Sequence, residues 1–464
     1  MDEAVTAGSL TERLAAYWSE VAFDDLPKSA VDLAKRFLLD TLAAGIAGAH
    51  TAVAQSVIDA SVRSLGGAAG GAVLWARGLA LPPQQAALVN GTAAHALELD
   101  DFGGCGHSGA VVVPAVCALI GQRPVSGREM LVAVLAGYDL AARVLEGAGG
   151  YRPHNALGWH STGTCGSFGA AAASARLLGF DRERFADALG IAGTFTGGIW
   201  SFLVDGAMTK RFHPGKAAET GVSAAYLAAA GMTGPHHVLD APWGGFFSTY
   251  APDIAEPELA LAQLGQAFRI QRSGIKPYAC CRTIHAPVDS LLLLLEEFSA
   301  SHEEIAEVIV HGNQQTVLQF DRMRIDALLD AQFSMQYCLA VAALRKNLSL
   351  DQFQPLQTTD PQVRRLMQLI RLVPDRILGP TDYAAVEVVL ADGRRGEKQV
   401  HVAKGHADNP LSAEEVEAKA RSLMEPVLGR TATDGAMVLI ADLETLPDIR
   451  ALTSLLVPAD GIRL

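Results

Sequence analysis

The chain has 464 residues, half of which are hydrophobic, and its 50 acidic and 37 basic side chains give a net charge of -13. This length is enough for two or three ordinary domains with a large core. The excess of negative charge repels nucleic-acid backbones, so we expect no nucleic-acid partner.

The apolar runs, the first twenty residues and the cysteines indicate which kinds of protein this chain is not. The longest apolar runs, such as Ala110–Ile120, are too short to span a bilayer, which predicts no membrane segment. The first twenty residues hold an early acidic pair and no apolar core long enough for export, so we expect a cytoplasmic protein. The six cysteines are irregularly spaced without a C-x-x-C pair, so neither a disulfide framework nor a structural zinc site is expected.

Residues 9 to 260 show the spacing of a long series of helices. One helix is predicted to begin at Leu26-Pro27, with apolar side chains recurring at helical spacing from Val31 to Ile46. Small residues dominate many faces, as in the Ala-rich run 217–230, so the helices can pack backbone against backbone. The prediction is a large all-α helical domain.

The pattern changes near residue 268. Residues 384–390 alternate like a strand and enter a tight turn at Asp392-Gly393, with residues 398–402 as the returning strand of a hairpin. Helices are expected at 287–297, at 332–346, and after a capping box formed by Ser412 and Glu415. The fold class is therefore mainly α, with a large helical domain (1–268 with 406–464) and a smaller α+β domain (269–405).

A cationic stretch precedes the Ala-rich helix. Lys210, Arg211, His213 and Lys216 lie among glycines just before it. A helix start offers unpaired N–H groups and the positive end of the helix dipole, so this cluster is typical of a polyanion site. A solvated loop with a few charges is the alternative.

A second cluster occupies residues 95–109 and gathers His95, Glu98, Asp100, Asp101 and His107 before a glycine-rich turn. Proton transfer is the obvious use of such a set. Metal binding is the competing use, but the two adjacent aspartates diverge in direction and no H-E-x-x-H spacing is present. No metal is expected here.

His160 stands in a glycine-punctuated segment, residues 158–169. The glycines do not match G-x-G-x-x-G and no strand precedes them, so helix packing explains them better than phosphate binding does. A histidine beside Trp159 is often a structural group, and the residues alone leave a structural and a catalytic role for His160 open.

Residues 276–285 place Lys276, Cys281, Arg282 and His285 ahead of the helix expected near Pro287, which concentrates hydrogen-bond donors at a helix start. Arg282 and His285 could activate the Cys281 thiol, but the rest of a Cys–His protease signature is missing.

Tyr337 lies on a largely apolar helix. The sequence leaves open whether its ring packs in the core or its hydroxyl is directed into a cleft.

Taken together, these segments resemble the MmgE/PrpD family, whose members include dehydratases, decarboxylases and epimerases of small polycarboxylates. The resemblance covers nearly the whole chain. It rests on Asn90-Gly91 through His107 and Pro114, residues 158–168, residues 208–221, Gly234-Pro235, residues 276–285, residues 332–337 and the run 404–411. It implies a helical domain and an α+β domain with a cleft between them, a homodimer, and chemistry on small polycarboxylates without a cofactor.

The resemblance also assigns residues. The family's active-site positions correspond to Glu98, Asp101, His107, His160, Lys210, Lys276, Cys281 and Tyr337. With the neighbouring polar residues of the same motifs added, the predicted catalytic set is His107, His160, Lys210, Lys276 and Tyr337, and the predicted substrate-binding set is Glu98, Asp101, His213, Cys281, Arg282 and His285.

One segment departs from the family pattern. Where family dehydratases and decarboxylases commonly have Asp-Phe-Asp-Asp-Thr, this chain has Glu98-Leu-Asp-Asp-Phe102, which lengthens the first carboxylate and removes a hydroxyl. The loss of the threonine hydroxyl at position 102 favours a reaction that has no leaving hydroxyl group.

The leading hypothesis is therefore an epimerase of an iminodisuccinate-like amino-polycarboxylate, which removes the α-proton and returns it. The alternatives are a 2-methylcitrate dehydratase-like or cis-aconitate decarboxylase-like lyase and, from another class, a non-catalytic polycarboxylate-binding protein.

Overall fold

The computed structural model describes residues 8–65, 70–379 and 382–458. The chain divides into two compact units, residues 1–273 with 412–464 and residues 274–411. The first boundary lies a few residues beyond the one expected from sequence. The reason is that the backbone N–H of Arg269 donates to Asp139 and its guanidinium pairs with Glu146, which fixes the 269–273 segment to the first unit.

The first unit is built from helices of very different lengths. Two of them begin at capping boxes, one formed by Ser9 and Glu12 and the other by Ser126 and Glu129. The helices of residues 8–273 are α1 (Leu10–Glu20), α2 (Lys28–Gly48), α3 (Ala52–Ser64), α4 (Pro83–His95), α5 (Gly109–Leu119), α6 (Gly127–Gly147), α7 (Tyr151–Ala156), α8 (Ser161–Thr164), α9 (Gly166–Leu177), α10 (Arg182–Phe195), α11 (Phe202–Asp205), α12 (Thr209–Ala229) and α13 (Phe246–Tyr250).

Helix α12 is central to this unit, where it packs against α4, α5, α9 and α10. Glycine permits its closest approach: a Cβ added to Gly91 of α4 would lie 2.7 Å from the Cα of Gly215 in α12. The two backbones are therefore in direct contact, which brings the end of α4 beside the start of α12. Helix α12 begins at Thr209, eight residues before the Ala-rich run, so the cationic residues lie within its first turns.

The first unit is not entirely helical. Strands β1 (Ala72–Leu74) and β2 (Leu79–Leu81) form an antiparallel ribbon. The Asn90 side chain of α4 holds it, because its Oδ1 accepts from the backbone N–H of Trp75 and its Nδ2 donates to the carbonyl of Val73. The first unit is therefore mainly helical, as expected, and carries this small ribbon in addition to its helices.

The second unit contains the larger sheet. Its strands are β3 (Ile305–His311), β4 (Ile370–Val373), β5 (Ala385–Leu390) and β6 (Arg395–Lys398), in the order β4-β3-β5-β6. Strands β3 and β4 run parallel, and the other two pairs are antiparallel. Its helices are α14 (Arg282–Glu297), α15 (Gln314–Phe320), α16 (Leu328–Gln332), α17 (Met335–Arg345) and α18 (Pro361–Gln368).

Three boundaries in this unit differ from the sequence expectation. The returning strand begins at Arg395, because Gly393 has a φ of +90° and completes a tight turn onto Leu390. Helix α14 begins at Arg282, so Pro287 lies inside it. The helix expected at 332–346 begins at Met335 instead, because the Ser334 side chain caps its start, and Gln332 is the last residue of α16.

The chain then returns to the first unit. Ser412 and Glu415 form the predicted capping box. The remaining helices are α19 (Ala413–Leu428), α20 (Arg430–Ala441) and α21 (Arg450–Ser454). Within the described residues, no single helix is long and apolar enough to cross a membrane, although α2 and α3, bent by 83° at their junction, meet that test of length and composition as a pair.

Candidate active site

Three segments of the first unit bring titratable side chains together: the end of α4 with its following loop, the residue before α8, and the first turns of α12. The close packing of α4 on α12 places His95 beside Lys210, which are both buried. Of the residues predicted from sequence, the cluster contains Glu98, Lys210, His107, His160 and His213.

Lys210 lies at the centre of the cluster and is 2% exposed. Its Nζ donates to Nε2 of His95 over 3.0 Å and forms an ion pair with the Glu98 carboxylate. Glu98 has a φ of +56°, a conformation that costs free energy for a residue with a side chain. Such strain is found most often where a functional side chain must be aimed at a particular point.

Asp100 joins two histidines. One carboxylate oxygen accepts from Nδ1 of His95 at 2.9 Å, and the other lies 3.0 Å from Nδ1 of His107. The same Nδ1 of His107 lies 2.9 Å from the carbonyl oxygen of Asp101. The two rings are 4.1 Å apart between centroids. A continuous path of polar contacts therefore runs from His107 through Asp100 and His95 to Lys210.

These contacts determine which nitrogen of each ring carries a hydrogen. Each Nδ1 faces only acceptors, so each Nδ1 carries the hydrogen. Nε2 of His95 then accepts from the Lys210 ammonium. Nε2 of His107 retains its lone pair and can take up a proton.

Burial sets the charge states around this path. Burial, the largest cause, and the nearby Lys210 together lower the pKa of His95 to about 3 against the opposing effect of Asp100, so this imidazole is neutral at neutral pH. Burial by itself would raise the pKa of Asp100, but the two histidines that donate to it outweigh that effect and hold the pKa well below its usual range. Asp100 is therefore ionised and fully enclosed.

Asp101 faces another way. Both its carboxylate oxygens accept from the backbone N–H of Gly109, at 3.0 and 3.1 Å, and so satisfy the start of α5. Burial and the adjacent Asp100 charge raise the pKa of Asp101 well above its usual value. The geometry gives Asp101 a part in the fold, and its predicted contact with substrate stays a prediction.

His160 and His213 form a second imidazole pair. Their Nδ1 atoms lie 2.9 Å apart, so one ring donates to the other. Trp200 and Phe202 pack edge-on against His160, with ring centroids 5.2 and 5.9 Å away. Burial, with the Lys210 charge second, holds the pKa of His160 well below its ordinary value and lowers that of His213 to about 4. Both rings are neutral at neutral pH.

One subset of the cluster has the spacing of a metal site. Ligand atoms of His95, Glu98 and His107 lie within 4.8 Å of one another. Lys210, however, contacts both His95 and Glu98, and its ammonium would repel a divalent cation placed among them. The arrangement fits a site whose positive charge comes from lysine.

The second unit holds the other predicted residues. Lys276 is buried, and Cys281 is partly buried with its backbone N–H donating to Gln332. The Arg282 guanidinium donates to the carbonyls of Ala403 and Lys404, and Nη1 lies 3.1 Å from Nδ1 of its neighbour His285. His285 also reaches the Cys280 carbonyl. These bonds tie α14 to the 403–404 segment, and the predicted substrate contacts stay predictions.

Tyr337 is fully buried, and its hydroxyl is engaged by the backbone. It donates to the Gln352 carbonyl over 2.6 Å and accepts from the Gln357 N–H over 3.0 Å. Burial raises the pKa of Tyr337 to about 12. The hydroxyl thus holds the 352–357 loop, and its catalytic role stays a prediction.

His95 and Asp100 belong to the sequence cluster at residues 95–109, although the predicted catalytic and substrate-binding sets include neither. The adjacency of Asp100 and Asp101 predicts that their side chains diverge, but it does not indicate which one faces the histidines. The usable signal was the position of His95 as the last residue of a helix, five residues before Asp100, since a short loop can turn back onto a helix end.

Comparison with known proteins agrees with this architecture. Residues 12–256 match the MmgE/PrpD N-terminal domain and residues 278–445 match the MmgE/PrpD C-terminal domain. The chain is 28% identical to the human cis-aconitate decarboxylase, covering 97% of this chain and 94% of that protein. It is 28% identical to the cis-aconitate decarboxylase-like protein oryM of Aspergillus oryzae (97% of each chain) and 27% identical to the Aspergillus terreus cis-aconitate decarboxylase (96% of each). The chain belongs to the MmgE/PrpD family.

Proposed function

We propose that this protein is a lyase that decarboxylates a small unsaturated polycarboxylate of the cis-aconitate type. The observation that carries the proposal is the enclosed set in which the Lys210 ammonium contacts Glu98 and His95, while Asp100 links His95 to His107. Relatives over nearly the full chain that are named as cis-aconitate decarboxylases support the same reaction.

Substrate charge is matched by the first turns of α12. Lys210 is the second residue of that helix, and no side chain caps the helix start. A substrate carboxylate placed there meets both the ammonium and the positive end of the helix dipole. Because the cluster is enclosed, that attraction is much less screened than it would be in water.

Decarboxylation moves one electron pair and one proton. The carbon–carbon bond to one carboxylate breaks, its electron pair passes into the unsaturated remainder, and CO2 leaves. The carbon that receives the charge, next to another carboxylate, then takes a proton. Lys210 can stabilise the transient charge on that neighbouring carboxylate through electrostatic attraction.

His107 is the best-placed group to transfer this proton, which its Nε2 takes up from water and passes to the carbon. Its Nδ1–H is held by Asp100 and the Asp101 carbonyl, so Nε2 is the atom that gains and loses a proton. The Asp100 carboxylate can stabilise positive charge on the ring while Nε2 is protonated, as in other carboxylate–histidine pairs. His160, whose ring centroid lies 6.3 Å from that of His107, is the second candidate for proton transfer.

Epimerisation of an iminodisuccinate-like compound is the second candidate function. It draws on His107 and His160, whose ring centroids lie 6.3 Å apart and which suit removal of a proton on one face of a carbon and its return on the other. The replacement of the family's common Thr by Phe102 favours it over dehydration. The named relatives, however, support decarboxylation better than epimerisation.

The test is proton NMR of the purified chain in D2O with cis-aconitate, 2-methylcitrate and iminodisuccinate in separate samples. The proposal predicts conversion of cis-aconitate to an unsaturated dicarboxylate with new terminal vinyl signals and release of CO2. Exchange and inversion at the α-carbon of iminodisuccinate, with cis-aconitate unchanged, would replace it by the epimerase. A new vinylic signal from 2-methylcitrate alone would indicate the dehydratase.

A further inference from the structure

A cluster on the sheet of the second unit is not used by the proposed chemistry. His311 is the last residue of β3, and Glu387 and Glu397 stand directly opposite each other on β5 and β6. His311 lies two residues beyond Ile309, the β3 partner of Glu387, so all three side chains share one face of the sheet. One ligand atom from each of the three lies within 4.8 Å of the others.

The Asp375 carboxylate contacts the imidazole nitrogen of His311 that lies farther from the glutamates. Nδ1 of His311 lies 2.8 Å from Asp375, which follows β4. Asp375 is positioned by the backbone, since Gly312 N donates to Val373 and Arg376 N donates to Gly312. The ring is therefore fixed in orientation with Nε2 directed at Glu387. A carboxylate on one imidazole nitrogen is the arrangement that orients histidines toward metal ions.

The spacing on the other side of the ring also suits a metal. Nε2 of His311 lies 3.2 Å from Oε2 of Glu387, compared with 2.8 Å for the contact to Asp375. A charge-assisted hydrogen bond is usually shorter than 3.2 Å. Two ligands of a tetrahedral zinc ion, each about 2.1 Å from the metal, are about 3.4 Å apart.

Two arginines neutralise the glutamates. Arg395 pairs with Glu387 and Arg376 pairs with Glu397. Their side chains are 68% and 45% exposed, so a cation that takes their place releases both guanidinium groups into water. The Arg376–Glu397 pair is exposed on both sides and therefore contributes little free energy. His311 and Glu387, in contrast, are largely buried and already face each other.

We propose that His311, Glu387 and Glu397 form a binding site for one divalent cation of the zinc type, with Asp375 orienting the histidine. One nitrogen and two carboxylate ligands suit zinc and its first-row neighbours. The ion links β3, β5 and β6 directly, and the segment after β4 through Asp375. This assignment is independent of the proposed reaction, because every residue in it belongs to the sheet of the second unit.

The test is a cobalt titration of the full chain after chelator treatment and gel filtration, followed by competition with zinc. We expect one equivalent of Co²⁺ with visible d–d absorption and no thiolate charge-transfer band, displaced by one equivalent of Zn²⁺. The variants Asp375→Asn and Glu397→Gln, both at partly exposed positions, should weaken binding 10- to 100-fold. Glu307→Gln is the matched control, because Glu307 lies on β3 like His311 but pairs with Arg371. This variant should bind Co²⁺ with the affinity of the wild type.

Circular dichroism of each variant confirms folding before the titration. Absence of stoichiometric binding in the wild type would overturn the site. So would equal affinity in the wild type, Asp375→Asn and Glu397→Gln, or a spectrum dominated by thiolate ligands.

Discussion

The two units use their predicted site residues in opposite ways. In the first unit, buried titratable side chains contact one another: Lys210 with Glu98 and His95, and Asp100 with two histidines. In the second unit, the polar atoms of Tyr337 contact backbone groups of a neighbouring loop. Enclosed side-chain networks carry shifted protonation states and can move protons, whereas side-chain bonds to backbone hold loops in place. Sequence motifs alone do not distinguish these two uses.

The largest effect expected from the side-chain network of the first unit is at His107. Replacement by glutamine removes a group that can transfer a proton, so we expect kcat to fall by about 10²- to 10⁴-fold on the substrate identified by NMR. His50→Gln is the matched control, because His50 is exposed and its ring nitrogens hydrogen-bond, within the described part of the chain, to the Ala76 carbonyl and to Arg77. Steady-state kinetics checks both variants, and retention of activity in His107→Gln would remove this residue from the chemistry.

The adjacent aspartates provide a sharper test. In Asp100→Asn, the amide can accept from one histidine but presents hydrogens to the other, so a ring must change tautomer, and we expect kcat to fall on the order of 100-fold. In Asp101→Asn, the amide oxygen still accepts from the Gly109 N–H, so kcat should stay close to the wild-type value. Equal losses in the two variants would show that Asp100 has no special part in the network.

The cluster in the first unit shows which site residues can be predicted from the sequence and which cannot. Its cationic segment, its histidines and Glu98 could be named from motifs, because residue type and order are visible. The partnership of His95 and Asp100 could not, because it depends on how a short loop turns back onto the end of α4. Likewise, the sequence identified the hairpin and the capping box at Ser412, but it placed the return strand too late.

A variant of Tyr337 tests whether this second-unit side chain stabilises the fold and takes no part in the chemistry. Tyr337→Phe leaves the Gln352 carbonyl and the Gln357 N–H without their partner, so we expect the free energy of unfolding to fall by about 1–3 kcal/mol. Activity per folded molecule should change little. Urea unfolding and kcat are measured together. A large loss of kcat at unchanged stability would make this hydroxyl part of the chemistry.

The smallest expected effect is the pH dependence contributed by His154, a buried ring whose Nε2 meets only the Thr164 hydroxyl among the described residues. Burial lowers the pKa of His154 to about 4, against about 6.5 in the unfolded chain. The unfolded state therefore binds more protons between these values, and stability falls as pH drops from about 6.5 to about 4, by on the order of 2–3 kcal/mol.

His154→Gln removes this titration and keeps a polar group for Thr164. Its urea-unfolding free energy should vary less with pH across that window than that of the wild type. Parallel pH profiles for the two proteins would show that His154 is not held neutral by burial.

The most direct test of the account is the turnover of cis-aconitate in D2O by the wild type, Lys210→Met and Lys216→Met. Lys216 lies on the same helix but is exposed and paired with Glu219. The account predicts CO2 and a singly deuterated unsaturated dicarboxylate from the wild type and Lys216→Met at similar rates, with the rate lowered by about 10²- to 10³-fold or more in Lys210→Met. Equal rates for the folded wild type and Lys210→Met, or no decarboxylation of cis-aconitate by the wild type, would contradict it.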